Sequence, residues 1–395
     1  MRALAWAAVL LVAAPAAAQP LRLRADALAD TRSPVGLLVL DADGELEDDG
    51  LSAEALVWLG AETGGADERG ALHADGDALV IAVRARTRGG RAEARIGRVV
   101  VTAGALRPMH LDGVAGRVRL PRRVDVEAFA GIPVAFAGAA AWDWAVGGRI
   151  GRRLGDWGGA GVAVIERREA GRLAVREVGL DAGGMLGRHD LAARVALDTL
   201  DEGAPAIALA DASFATRRGA VRAEVYARAR APSHLLPATS LFTVLGDVPS
   251  RQGGLRATWR AAPRLDLTAD VGARIVDGAV GEELAARATL RLDDRGRGAI
   301  ACELHRTEAM EAGWTGARAT ARVPIADGWT ASTELELVLP DDAGDRGALW
   351  PWALGAVAWR RGAWDAAAGV EASASPEHRS RVDVLLRVGR AWGMM

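Results

Sequence analysis

The stretch Arg264–Ile275, RLDLTADVGARI, alternates from end to end. Leu265, Leu267, Ala269, Val271, Ala273 and Ile275 fall on one parity, while Arg264, Asp266, Thr268, Asp270 and Arg274 fall on the other with Gly272 among them. Side chains along an extended strand have a period of two, so this pattern predicts a strand with one dry and one wet face. Alternation alone does not say whether the dry face meets a protein core or lipid.

The same split recurs in Val221, Ala223, Val225, Ala227 and Ala229 against Arg222, Glu224, Tyr226, Arg228 and Arg230, and again over Leu284–Leu292. From Arg123 onward the pattern marks segments near 123–132, 143–154, 158–168, 171–183, 188–199, 205–216, 219–231, 253–262, 264–275, 280–292, 297–306, 314–323, 329–339, 348–360, 362–374 and 380–392. Before Arg123 the chain is less regular, with segments at 21–29, 33–40, 51–60, 78–86, 92–102 and 114–120, some of which could pair imperfectly or form a partial plug. At about 40 residues per hairpin, the length predicts about 18 strands, within a range of about 16 to 20.

Met1-Arg2, the apolar run Ala3–Ala14 and Ala16-Ala17-Ala18-Gln19 have the form of a secretory signal over residues 1–18, which implies Sec-type export and a single domain over 19–395. No later stretch approaches 18 consecutive apolar residues, so a membrane protein of this sequence must span as strands. Lysine and asparagine are absent, and all 49 basic residues are arginine. Asn-Gly turns are therefore excluded and Gly and Asp must make the tight turns, as in Gly155–Gly159 and Asp293–Gly296. The net charge of −2 argues against a nucleic-acid partner. The single cysteine, Cys302, reads as a small apolar residue, buried or lipid-facing.

Four features favour lipid. The signal directs export, the segments are long for a soluble sheet, and tryptophans gather near segment ends at Trp142, Trp144, Trp157, Trp314, Trp329, Trp350, Trp352, Trp364 and Trp392. The final segment places Val382, Val384, Leu386, Val388 and Trp392 opposite Arg381, Asp383 and Arg387, with Arg390 on the apolar register near the chain end. The chain thus resembles the outer-membrane β-barrel proteins, porin-like in size. The resemblance implies an all-β fold, a transmembrane antiparallel up-and-down barrel in the outer membrane of a Gram-negative-type bacterium. It also implies contact with outer-membrane lipid and with the barrel-assembly machinery during biogenesis. The segment Arg98–Arg119, with Gly104, Arg107, Asp112-Gly113 and Arg117, is loosely similar to a strand and loop region of substrate-selective porins.

In such a barrel the polar register lines the lumen. The pore-lining candidates are Arg222, Glu224, Arg228, Arg230, Arg256, Arg260, Asp266, Asp270, Arg274, Arg287, Arg291, Arg318, Arg322, Glu334 and Glu336. Opposed arginine and acid rows would set a transverse field across a pore, or would pair and fill it. The densest arginine ladder, Arg217–Arg230, could favour anionic solutes. Two longer connections stand out: Glu62–Asp77, read as an external loop, and Pro232–Gln252, which is too apolar for a freely solvated tip. The second either folds inward as a constriction, with Leu241, Phe242, Asp247 and Arg251 as candidate residues, or lies outside with a helical turn.

The six histidines, His73, His110, His189, His234, His305 and His378, fall in no metal or nucleophile motif, and the absence of asparagine excludes a Ser-His-Asn arrangement. Ser233-His234 and His189-Asp190 are sequence neighbours whose side chains would point to opposite faces of a strand; Asp48-Asp49 and Asp341-Asp342 read as solvated tips. The sequence therefore predicts no catalysis, metal or cofactor, and a porin-like passage for small hydrophilic solutes. The alternatives are a non-conducting barrel that serves as a scaffold or binds a partner, and a soluble periplasmic β-sheet protein.

Overall fold

The computed structural model describes residues 21–30, 36–46, 50–63, 72–134, 143–199, 205–230, 250–276, 278–309, 312–342, 349–375 and 378–392. The strands are β1 (Leu21–Asp30), β2 (Gly36–Leu46), β3 (Leu51–Thr63), β4 (Leu72–Arg86), β5 (Ala92–Val101), β6 (Met109–Leu120), β7 (Val124–Pro133), β8 (Ala145–Leu154), β9 (Gly158–Glu169), β10 (Arg172–Leu186) and β11 (His189–Asp198). They continue as β12 (Ala206–Arg218), β13 (Val221–Arg230), β14 (Ser250–Ala262), β15 (Leu265–Val276), β16 (Ala279–Arg291), β17 (Ala299–Ala309), β18 (Ala312–Ala326), β19 (Trp329–Pro340), β20 (Trp350–Arg361), β21 (Trp364–Ser375) and β22 (His378–Trp392).

Each strand pairs antiparallel with its sequence neighbours, and β1 pairs with β22 from Leu23↔Trp392 to Asp30↔Leu385, so the 22-stranded sheet closes on itself. Closure leaves no edge with unpaired N–H and C=O groups, which hydrocarbon could not satisfy. The count exceeds the 18 given by length arithmetic. The extra strands come from the region before Arg123, whose six segments are all wall strands rather than a plug. The arithmetic allowed too much chain for turns: β12 joins β13 through Gly219-Ala220 alone, where the positive φ of Gly219 (59°) suits a mirror-type hairpin turn. β3 and β4 also take up half of the Glu62–Asp77 connection, running to Thr63 and from Leu72.

Connections at the end that carries β22's last residues are short, as at Gly155–Trp157, Gly187-Arg188 and Gly362-Ala363, while β13 ends and β14 begins, 20 positions apart in sequence, at the opposite end, the long-loop end. The wall is apolar outside and carries its buried charged side chains inside. Ile150 and Leu304 are each 62% exposed on the outer face, whereas Glu177 (1%) and Glu336 (0%) are buried on the inner one. Such an outer face is stable only against hydrocarbon, and its alternation is the one that sequence predicts.

At the short-turn end, Trp157, Trp259, Trp329, Trp359 and Trp364 are at least partly exposed, with the Trp329 and Trp359 rings 6.3 Å apart. Arg390 falls on the outer register, its guanidinium 4.8 Å over the Trp364 ring, so the charge is met by a π face beside the interface. Three other tryptophans depart from the expected girdle. Trp314, Trp350 and Trp352 lie on the inner register near the long-loop end, where Trp314 stacks on His305 at 5.0 Å and the Trp352 Nε1–H donates to Glu371 at 2.9 Å. Two outer arginines near that end are paired: Arg98 bridges Asp77 (2.5 Å) and Asp112 (2.7 Å), and Arg306 grips Asp341 (2.5 Å), holding its carboxyl below the usual range.

Candidate functional site: the inner wall

The inner face has two sectors. Over β4–β9 its half toward the long-loop end is apolar: Ala82, Val99, Leu111, Phe129, Ala145, Ala163 and Ile165 form a buried cluster. Apolar side chains facing a wet lumen need cover, and the β5–β6 connection Thr102–Pro108 supplies it. Ala103 and Leu106 join the cluster. The chain then reaches β10, where Gly179 lacks the Cβ that would stand 3.2 Å from the Ala105 Cβ and 3.3 Å from the Leu106 Cδ2. Arg107 Nε donates to Glu177 Oε1 at 2.7 Å. Gly104, at φ +57°, lies against the Asp181 carboxylate, which Arg149 holds through two bonds of 2.9 and 2.5 Å; a side chain at 104 would collide with both groups. The loop is thus folded inward and fastened to the wall.

Over β11–β19 the inner face is charged and satisfied across strands. Tyr226, the single tyrosine, anchors this sector. Its hydroxyl donates to Asp270 at 2.6 Å, Arg256 holds the same carboxylate at 2.6 Å, and the guanidiniums of Arg228 and Arg256 lie 4.9 and 5.4 Å from its ring. The ring runs beside Gly254, whose absent Cβ would stand 2.8 Å from the hydroxyl. Arg291 binds Asp266 at 2.5 Å, Arg287 reaches Glu303 at 3.4 Å, and Arg318 binds Glu334 with Glu336 at 3.8 Å. Arginines outnumber acids on this register of β12–β16.

No protein-family description matches the chain, and no curated protein matches its sequence. Solved structures do match its shape. The P pilus usher (PapC) translocation pore aligns over 95% of this chain and 99% of its own at 9% identity, with a TM-score of 0.52. The copper transporter OprC aligns over 95% and 80% at 11% identity, with a TM-score of 0.53. The E. coli P pilus tip assembly intermediate PapC-PapD-PapK-PapG gives a TM-score of 0.58 at 10% identity, over 95% of this chain and 61% of that one. This is an outer-membrane β-barrel fold.

Within that barrel the structure sets Arg222, Glu224, Arg228, Arg230, Arg256, Arg260, Asp266, Asp270, Arg274, Arg287, Arg291, Arg318, Arg322, Glu334 and Glu336 on one inner register. Arg251 is a correction. It belongs to β14, opposite Ala229 and the exposed Ile275, on the outer face. Leu241, Phe242 and Asp247 lie outside the described residues, as do Ser233-His234 and Asp48-Asp49. His189 stacks on Phe214 at 5.7 Å while Asp190 sits on the inner register near Arg222, so the two are on opposite faces. Cys302 is exposed on the outer register between Ala288 and Ala319. Among the described residues no His, Cys, Asp and Glu group could hold a metal.

The in-folded Thr102–Pro108 loop escaped sequence reasoning, although Gly104 and Arg107 drew notice. Its faint signal is Ala103, Ala105 and Leu106 in a seven-residue connection that a solvated tip would not favour.

Proposed function

We propose that this barrel is a passive, porin-like conduit for small hydrophilic solutes across the outer membrane, with its short turns facing the periplasm and its long loops outside. The observation that carries the reading is the inner register itself, a charged and hydrogen-bonded surface enclosed by an apolar outer wall. Its arginine surplus over β12–β16 supports a preference for anions. Nothing in it calls for chemistry on the solute.

Single-channel recording of the detergent-refolded protein in a planar bilayer under a salt gradient tests this. Stable steps with an anion-selective reversal potential are expected, and exchange of Arg222, Arg228 and Arg230 for Glu should move that potential toward cations. An unchanged potential would remove these residues from the conducting path. A second reading, a closed scaffold, is favoured by the burial of Arg274, Trp314 and Glu336 on the inner register; a protein that inserts and never conducts would select it.

A further inference from the structure

Two places on the inner wall set arginines directly opposite each other, where like charges repel. On β4–β5, Arg84 faces Arg95, and Glu93 answers both at 2.7 and 3.1 Å. On β12–β13, beside the Gly219-Ala220 turn, Arg217 faces Arg222, and no carboxylate there answers both arginines. Arg222 reaches Asp190 and Glu224 only at 3.5 and 3.6 Å. Arg260 lies two residues beyond Thr258, Arg222's neighbour on β14, and stands 3.5 Å from Asp266, whose carboxylate is already bound by Arg291 at 2.5 Å. Arg217 has no ion-pair partner among the described residues. These three arginines border a cavity of about 460 Å³, closed on one side by Gly219–Val221 and on the other by Thr258, with the Glu224 and Asp266 carboxylates also in its lining, so three guanidiniums face two acids there.

We propose that this cavity is a binding station for a small oxyanion, a phosphate or carboxylate group held by Arg217, Arg222 and Arg260 at the short-turn mouth of the barrel. Planar guanidinium forks match such groups in two bonds each, and a bound anion supplies the counter-charge that Glu93 supplies at the other pair. The volume suits a small polyanion rather than a polymer. The proposal rests on the reading of the inner face as solvent-filled and gives that face one specific site.

Inorganic pyrophosphate and citrate, titrated calorimetrically into the refolded barrel at low salt, are the probes. Saturable binding of either is expected, weakened at least about tenfold in the Arg217→Gln/Arg222→Gln double variant and unchanged in Arg84→Gln. If the double variant fails to fold, Arg260→Gln and the pyrophosphate-dependent rise in the heat-unfolding midpoint, present in the wild type and absent in the variant, give the same answer. No saturable binding of either anion, or equal affinity in the variants, overturns the site. A barrel that binds without conducting keeps the site and loses the pore; one that conducts without binding keeps the pore and loses the site.

Discussion

The β4–β10 sector and the β11–β19 sector belong to one wall and one alternating pattern, yet they satisfy their inner faces by opposite means. The first carries apolar side chains inward and covers them with its own loop, fastened at Arg107–Glu177 and against Arg149–Asp181. The second carries charges inward and neutralises them across neighbouring strands, with Tyr226 and Asp270 at its centre. A lumen wall therefore need not be polar throughout; it must leave neither apolar surface nor charge unanswered. Where the loop lies, the carboxylate is buried beneath a half-exposed arginine; along the ladders both partners stay in contact with the lumen, and the energetic consequences differ.

That difference is open to measurement. Arg107→Ala leaves the buried Glu177 carboxylate without its half-exposed cation, which should cost about 2–3 kcal/mol. Arg287→Ala, in the ladder sector, removes a half-exposed partner of Glu303 and should cost no more than about 1 kcal/mol. Urea unfolding in detergent, followed by tryptophan fluorescence, reads both; equal costs would erase the distinction between the sectors. Next in size, Gly179→Val fills the notch that receives Ala105 and Leu106, and overpacking there should cost about 1–3 kcal/mol while freeing the loop. Raised single-channel conductance would accompany the destabilisation; unaltered conductance would show that the loop lies clear of the path. Smallest is Tyr226→Phe, which takes one donor from a carboxylate still held by Arg256 and should cost about 1 kcal/mol. A loss several times larger would mean that the hydroxyl organises the whole charged sector.

The inner register was legible because it is local. In RLDLTADVGARI each residue's neighbours two positions away announce its face, and Arg222 through Glu336 were readable as one surface without knowing which strands touch. The tryptophans were less legible. Position near a strand end gives distance from the interface, whereas parity gives the face, and Trp314, Trp350 and Trp352 have inward parity. Arg251 failed for a related reason: β14 begins at Ser250, so the residue read as loop is already a strand residue with outward parity.

The sequence by itself determined an inside-out alternating wall, its strands and its inner charged register, because a period of two is written within each segment. Only the tertiary structure decided that 22 strands close the ring through β1 and β22, that Thr102–Pro108 turns inward, and that Arg217 and Arg222 meet with no carboxylate shared between them. These depend on register and on contacts between distant residues, Arg107 with Glu177 being 70 positions apart. Periodicity carries no information about which distant partner completes a charge or covers an apolar patch; packing in three dimensions does.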